Sequence, residues 1–253
     1  MTITREFLQD RPLSYSSLKE FAKSPSHYIQ YVFNPREQSK EMNLGSAIHT
    51  MILEMENFGK KFAVAPSVDR RTKEGKDKWE EFASTVGDKS ILSVDDNATA
   101  HEIVTKLFRD KSAKDFLNKD GHVEKEWRKE LFGLPFRGFM DKETDDYVIE
   151  IKTTSDGEPK TFIHDFMKRK YYMQAAIYHA VTGKDIRYLV IETKPPYNYF
   201  ISEISQEYLD YGLEEVSKLC SRFDECLVLN AWSAGYEFMS DSPIIIDRPY
   251  WLK

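Results

Sequence analysis

Residues 122–153 place the tightest constraint on what this chain can become. The stretch "HVEKEWRKELFGLPFRGFMDKETDDYVIEIKT" is strand-like throughout, with apolar and polar residues alternating at a period of two. It turns at Gly133-Leu134-Pro135 and again near Glu143–Asp146, so it reads as a meander of about three strands. A sheet of this kind needs covering layers, and the flanking segments carry helical spacing.

Upstream, "SYSSLKEFAKSPSHYIQYVF" (14–33) repeats Leu18, Phe21 and Ala22 at helical spacing, with Ser14 or Ser16 as N-cap and Pro25 opening a second short helix. In "LGSAIHTMILEMEN" (44–57), Ile48, Met51, Ile52 and Met55 form one stripe. Residues 66–82, "PSVDRRTKEGKDKWEEF", read as a polar loop leading into a helix, and helical pattern resumes around 77–86 and 97–117. Downstream, residues 159–182 are helical with a break near Lys168–Lys170 and a stop at Gly183. "DIRYLVIET" (185–193) reads as a buried strand ended by Pro195 and Pro196, and "YNYFISEIS" as another. A long helix follows over roughly 206–229, and the apolar tail "PIIIDRPYWLK" is expected to dock on the body. The predicted class is α/β (α+β): a central mixed sheet flanked by helices. One domain is expected over residues 1–253, with a helical part at about 1–120, a sheet core at about 121–205 and a C-terminal helix and tail at about 206–253.

Composition narrows the function. Hydrophobic residues make up 41% and charged residues 31%, which suits a soluble globular protein. No apolar run approaches the ~20 residues of a membrane span. The opening "MTITREFLQDRPLS" has no apolar signal-peptide core, so an intracellular protein with no membrane partner is expected. Cys220 and Cys226 lie in a helical stretch with no partners at metal-ligand spacing and read as reduced packing residues; a four-cysteine site is excluded by count. A net charge of −6 argues against holding nucleic acid by a broad basic surface.

The second hairpin carries the chemistry. With Glu143–Asp146 as its loop, Lys142 faces Tyr147 and Asp141 faces Val148. Asp141, Val148, Glu150 and Lys152 then share one face, while Ile149 and Ile151 point to the other, into the core. Asp141 and Glu150 become diagonal neighbours roughly 7–8 Å apart at the backbone, close enough to bind one cation. A loop one residue shorter or longer would put Asp141 on the wrong face. Two carboxylates beside an amine suit metal-dependent hydrolysis. A hard cation such as Mg²⁺ stabilises charge on a phosphoryl oxygen and acidifies a bound water. Lys152 could orient or deprotonate that water, or stabilise developing negative charge. On the hairpin alone, an ordinary surface salt bridge is the simpler reading of Glu150-x-Lys152.

Asp141 followed by Glu150-Ile151-Lys152 resembles the Asp…(Asp/Glu)-x-Lys motif of the PD-(D/E)xK (restriction-endonuclease-like) nuclease superfamily. Three more motifs resemble its RecE, lambda-exonuclease and RecB-type branch: "GSAIH" (45–49) its Gly-x-x-x-His helix, "RGFMD" (137–141) its Gly-x-x-Asp strand, and "QAAIY" (174–178) its Gln-x-x-x-Tyr helix. They occur in the family's order over about 130 residues. "SYSSLKEFAKSPSHY", "DRRTKEGK" and "DRPYW" are similar to RecE-type segments too. The resemblance implies that Asp141 and Glu150 ligate a metal with the carbonyl of Ile151, and that His49 is a further ligand. The metal would be Mg²⁺, with Mn²⁺ as a substitute favoured by the imidazole. Gln174 and Tyr178, at i and i+4 on one helical face, would touch a DNA phosphate or brace Lys152. An additional acid from the preceding strand is implied; Glu124 and Glu126 both qualify, and Glu124 fits slightly better.

The cations offered for DNA contact are Arg70, Arg71, Lys73 and Lys76, with Lys168, Arg169 and Lys170 before the Gln-x-x-x-Tyr helix. The resemblance implies a metal-dependent exonuclease acting 5′ to 3′ on double-stranded DNA ends, in a bacterial or phage-infected cytoplasm. It further implies a ring of three or four copies and a single-strand annealing partner of the RecT or beta type for phage recombination. The alternatives are a RecB-like repair nuclease with another strand or end preference, and an inactive DNA-binding member of the superfamily.

Overall fold

A computed structural model describes residues 3–34, 39–240 and 247–248. Most of the tail "PIIIDRPYWLK", and with it the expected docking, lies outside the described residues.

The helical N-terminal part begins with α1 (Arg5–Asp10), α2 (Tyr15–Phe21), α3 (Pro25–Phe33), α4 (Lys40–Leu53) and α5 (Phe58–Lys61). It continues through α6 (Lys73–Val86), α7 (Val94–Arg109) and α8 (Lys111–Leu117), with short strands β1 (Phe62–Val64) and β2 (Ser90–Leu92) between them. Polar caps set the helix starts. Ser14, Ser24, Ser39, Thr72, Ser93 and Asp110 each accept a backbone N–H of the first turn through the side chain. Ser14, not Ser16, is the cap of α2. Asp110 also divides the helical stretch read at 97–117 into α7 and α8. Ile48 and Met51 of the expected stripe are buried, but Met55 falls beyond α4 in a short 3₁₀ turn and is exposed.

The sheet follows as β3 (Gly121–Leu131), β4 (Leu134–Thr144) and β5 (Tyr147–Thr154). After α9 (Pro159–Lys168) and α10 (Tyr171–Thr182) come β6 (Asp185–Glu192) and β7 (Tyr199–Glu203), and then α11 (Gln206–Leu229). Its order is β3-β4-β5-β6-β7. β5 and β6 run parallel across the α9–α10 crossover, and the other neighbours are antiparallel. This is a mixed α/β architecture, and the expected break at 168–170 and stop at Gly183 are both present.

Both turns of the meander are tighter than expected. The first is Phe132-Gly133, with φ of 51° and 74°, so both residues occupy the left-handed region that two-residue hairpins require. Leu134 and Pro135 already pair within β4. In the second, Glu143 pairs with Val148 and Lys142 with Ile149, leaving only Asp145-Asp146 as the loop. The register is therefore offset by two residues from the expected one. An even offset keeps every side chain on its face. Continued by one step, this register sets Asp141 across from Glu150 instead of diagonal to it.

Two apolar layers cover the sheet. Ile149, Ile151, Leu189 and Ile191 pack with Ile48 and Met51 of α4 and with residues of α7 and α8. Val148, Tyr188 and Val190 pack with α2, α3, α10 and α11. α10 and α11 meet at Gly212, where an added Cβ would lie 2.6 Å from the Tyr172 carbonyl oxygen and 2.8 Å from the Ala176 Cβ. Gly212→Ala is expected to force these helices apart at a cost of about 1–3 kcal/mol, read as a lower denaturation midpoint. Gly59→Ala in α5 is the control, because its Cβ would meet nothing within 4 Å. An unchanged midpoint for Gly212→Ala would refute the close-packing account.

Candidate metal centre and active site

β5 lies between β4 and β6 and is covered on both faces. Glu150 is only 3% exposed, so the face it shares with Val148 is a second core layer and not a solvated surface. A buried carboxylate needs partners. Glu150 Oε1 accepts from Lys152 Nζ at 2.7 Å and from Gln174 Nε2 at 2.7 Å. Glu150 Oε2 is buried with no hydrogen-bond partner among the described residues.

Asp141, at the inner end of the paired β4–β5 ladder, uses Oδ2 to accept the backbone N–H of Ile151 at 2.6 Å. The same oxygen lies 2.8 Å from His49 Nε2, and His49 Nδ1 lies 3.4 Å from Glu124 Oε1. His49, Glu124 and Asp141 thus present three ligand atoms within 4.8 Å of one another.

Local backbone chemistry explains how these side chains converge. A Cβ on Gly45 would lie 2.7 Å from Thr153 Oγ1, so the missing side chain lets α4 lie against the end of β5. His49 follows four residues later on the same helical face and reaches the acids. Gly138 sits across from Trp127, and a Cβ there would lie 2.7 Å from its ring. The indole meets Tyr178 edge-on at 6.1 Å. The glycines of "GSAIH" and "RGFMD" are thus close-approach positions. Glu124 has φ of 49° in mid-strand, while Val123 and Lys125 on either side keep their β4 partners. A glutamate there costs on the order of 1–3 kcal/mol of backbone strain.

The electrostatics follow from burial and neighbours. Burial and the nearby Asp141 carboxylate push Glu150 up to about 7, against the pull of Lys152. Burial alone would lower Lys152, but Glu150, Tyr171 and Asp141 outweigh it and raise it above the usual lysine range. An ammonium has no lone pair, so of the three roles open to Lys152, orienting a group and stabilising negative charge fit this state, and abstracting a proton does not. For His49, burial again opposes the charge, yet Asp141 and Glu124 raise it overall. Glu124 is raised chiefly by burial.

Gln174 and Tyr178 are buried. Gln174 accepts from Lys152 at 3.0 Å through Oε1 and donates to Glu150 and Tyr178, and Tyr178 donates to the Phe139 carbonyl at 2.7 Å. Their polar groups are spent on bracing Glu150, Lys152 and β4, so the alternative of direct phosphate contact has no free group to make it.

A cleft of about 1030 Å³ opens over this cluster, lined by His49, Glu124, Ile151, Lys152 and Tyr171 among others. Of the expected DNA-contact cations, Arg169 lines it, with Lys170 next to it in sequence. Arg70, Arg71, Lys73 and Lys76 do not: Arg70 stacks on Trp79 at 4.0 Å, Arg71 pairs with Asp69, and Lys73 and Lys76 lie on α6. Lys60 and Lys61 of α5 line the cleft instead. Sequence reading also passed over Tyr171, whose ring lies 4.5 Å from Lys152 Nζ, and Lys19. Burial depresses Lys19, and after the opposing pull of Glu20 the charges of Lys23, Lys152 and Arg169 depress it further. No spacing rule marks either residue, since both are placed by how α2 and α10 pack.

A family model described as "PDDEXK-like domain of unknown function (DUF3799)" matches residues 14–237. The chain belongs to this family. The PDDEXK-like chain therefore falls in the PD-(D/E)xK superfamily. A crystal structure of a protein from Eubacterium rectale described as "Putative exonuclease" shares its fold, with a TM-score of 0.61 and 16% identity over 92% of this chain and 87% of that one. The structure of SSO0001 covers 54% of this chain and 69% of its own at 17% identity, and its TM-score of 0.30 supports no inference. No curated protein matches by sequence.

The donor set fits a hard divalent cation, since one imidazole and the carboxylates of Asp141 and Glu124 are held together, and the Glu150 Oε2 is buried without a hydrogen-bond partner among the described residues. Glu150 and His49 are both shifted toward their protonated forms, so a cation must displace protons to bind. Divalent-ion affinity is expected to rise with pH through neutrality, with net proton release in calorimetry across buffers of different ionisation enthalpy. Binding without proton release would contradict these protonation states.

Proposed function

We propose that the PDDEXK-like chain is a divalent-metal-dependent DNA exonuclease of the RecE type, acting 5′ to 3′ on duplex ends. The observation that carries this reading is the buried Asp141–Glu150–Lys152 constellation joined by His49, with Lys152, His49 and Glu124 lining an open cleft. The ordered resemblance to RecE-type motifs supports the direction and the substrate. No helix among the described residues is long and apolar enough to cross a membrane.

Asp141, Glu124, His49 and Glu150 would hold the cation. When bound, such an ion supplies Lewis acidity at a phosphoryl oxygen and an acidified water, and Mg²⁺ is the proposed ion, with Mn²⁺ able to substitute. Lys152 keeps a fixed positive charge beside Glu150, which opposes the negative charge that grows on the phosphate during attack. Gln174 clamps Lys152 and Glu150 in one geometry, and Tyr178 ties Gln174 to β4. Arg169, Lys60 and Lys61 give the cleft local cations despite a net charge of −6. The proposal extends to a ring of three or four copies and to an annealing protein that takes up the exposed 3′ strand.

Lys152→Ala is expected to lower cleavage of linear duplex DNA by at least about 10²-fold while the protein stays folded by circular dichroism. Retained activity would remove the lysine from its role. Duplex labelled at its 5′ ends should release labelled nucleotide first. Early release from 3′ ends, or cutting of closed circles, would favour a RecB-like or endonucleolytic enzyme. Intact linear DNA with both Mg²⁺ and Mn²⁺ would favour an inactive DNA-binding member.

A further inference from the structure

The Lys152 ammonium has neighbours of two kinds, and the proposed chemistry uses only one of them. Glu150 Oε1 and Gln174 Oε1 accept from Lys152 Nζ at 2.7 Å and 3.0 Å. An ammonium carries three N–H groups, so these two oxygens leave one. The other neighbours are aromatic faces. Lys152 Nζ lies 4.5 Å from the centroid of the Tyr171 ring and 5.8 Å from that of Tyr188. Tyr188 is fully buried, whereas Tyr171 lines the cleft beside Lys152. The Tyr171 ring is fixed from several directions. Lys170 takes left-handed backbone (φ 57°), and Tyr171 is the first residue of α10 after it. The Tyr188 hydroxyl donates to the Tyr171 carbonyl at 3.0 Å. The ring stacks on Phe162 at 6.3 Å and meets Phe166 edge-on at 6.1 Å.

We propose that Tyr171 is a positioning residue for Lys152: its ring face holds the ammonium at the cleft and leaves the third N–H to a phosphoryl oxygen of the substrate. This rests on the nuclease reading above. A ring face attracts a cation through its quadrupole, and the attraction is strongest where water is excluded. The Lys152 side chain is only 14% exposed. A ring is also a far weaker acceptor than a carboxylate or amide oxygen. It therefore fixes the charge without using up its last donor. A third oxygen in the same place would bind that N–H, and an aliphatic side chain would exert no comparable pull on the charge. The Tyr171 hydroxyl makes no hydrogen bond with Lys152, so the face of the ring is the working group.

The test uses the full chain, with single-turnover cleavage of a short linear duplex in Mg²⁺. Tyr171→Phe keeps the ring face and should cut as the parent does. Tyr171→Leu removes the face, and Tyr171→pentafluorophenylalanine keeps the ring's shape while reversing the charge of its face. Both should lower the rate at saturating protein roughly tenfold and leave the half-saturating protein concentration unchanged. A second readout needs no cleavage. In EDTA, the Lys152 ε-CH2 proton signal, assigned by its loss in Lys152→Ala, should lie upfield in the parent and in Tyr171→Phe. It should move downfield in Tyr171→Leu. Undiminished cleavage by the pentafluorophenylalanine variant, beside an active parent, would overturn the positioning role and leave the nuclease reading standing. A loss in Tyr171→Phe equal to that in Tyr171→Leu would assign the work to the hydroxyl and overturn the proposal as well. So would a Lys152 signal that does not move in Tyr171→Leu. A parent that cuts with neither Mg²⁺ nor Mn²⁺ would overturn the nuclease reading, and this proposal with it.

Discussion

The organisation of this protein depends on one buried ion pair. Glu150 and Lys152 occupy a strand covered on both sides, where an unpaired charge would be costly and a paired one is tolerated only with its remaining hydrogen-bonding groups satisfied. Gln174 from the crossover helix meets most of that demand. One carboxylate oxygen remains buried without a hydrogen-bond partner among the described residues. A hydrophobic pair would pack at least as well at this position, so the charges are better explained by chemistry than by stability.

The motifs read as spacings in the sequence become steric facts in the fold. Gly45 and Gly138 are absences of a methyl group that let α4 and Trp127 approach, and each close contact places a polar residue nearby. Gln174 and Tyr178 share a helical face because they brace a single object, the Glu150–Lys152 pair and the strand beside it.

Much of the element order was legible because periodicity, prolines and caps are local signals. Pro25, the break at 168–170 and the helix at 206–229 are examples. The meander was legible, but its turns were not, since Leu134, Pro135, Glu143 and Thr144 have turn-like neighbours yet pair in the sheet. β1 and β2 are three residues each, too short for alternation to register. Within the site, Asp141, Glu150 and Lys152 were brought together by type and spacing, and His49 only by the resemblance. The burial of Glu150 was not legible, because a two-residue alternation tells one face from the other but not which faces are covered. Of the cations read from the sequence, Arg169 lines the cleft, while those at 70–76 do not and Lys60 and Lys61 of α5 do, because a charge run has no address until its helix is packed.

The Asp145-Asp146 turn has a consequence for how such a chain can vary in length. Where a two-residue turn is kept, one inserted or deleted residue would slip the β4–β5 register by one and put Asp141 and Glu150 on opposite faces. A change of two would only slide Asp141 along the same side. Length variation at this tip is therefore quantised: steps of two keep the two acids on one face, and a step of one separates them with every candidate ligand still spelled out in the sequence.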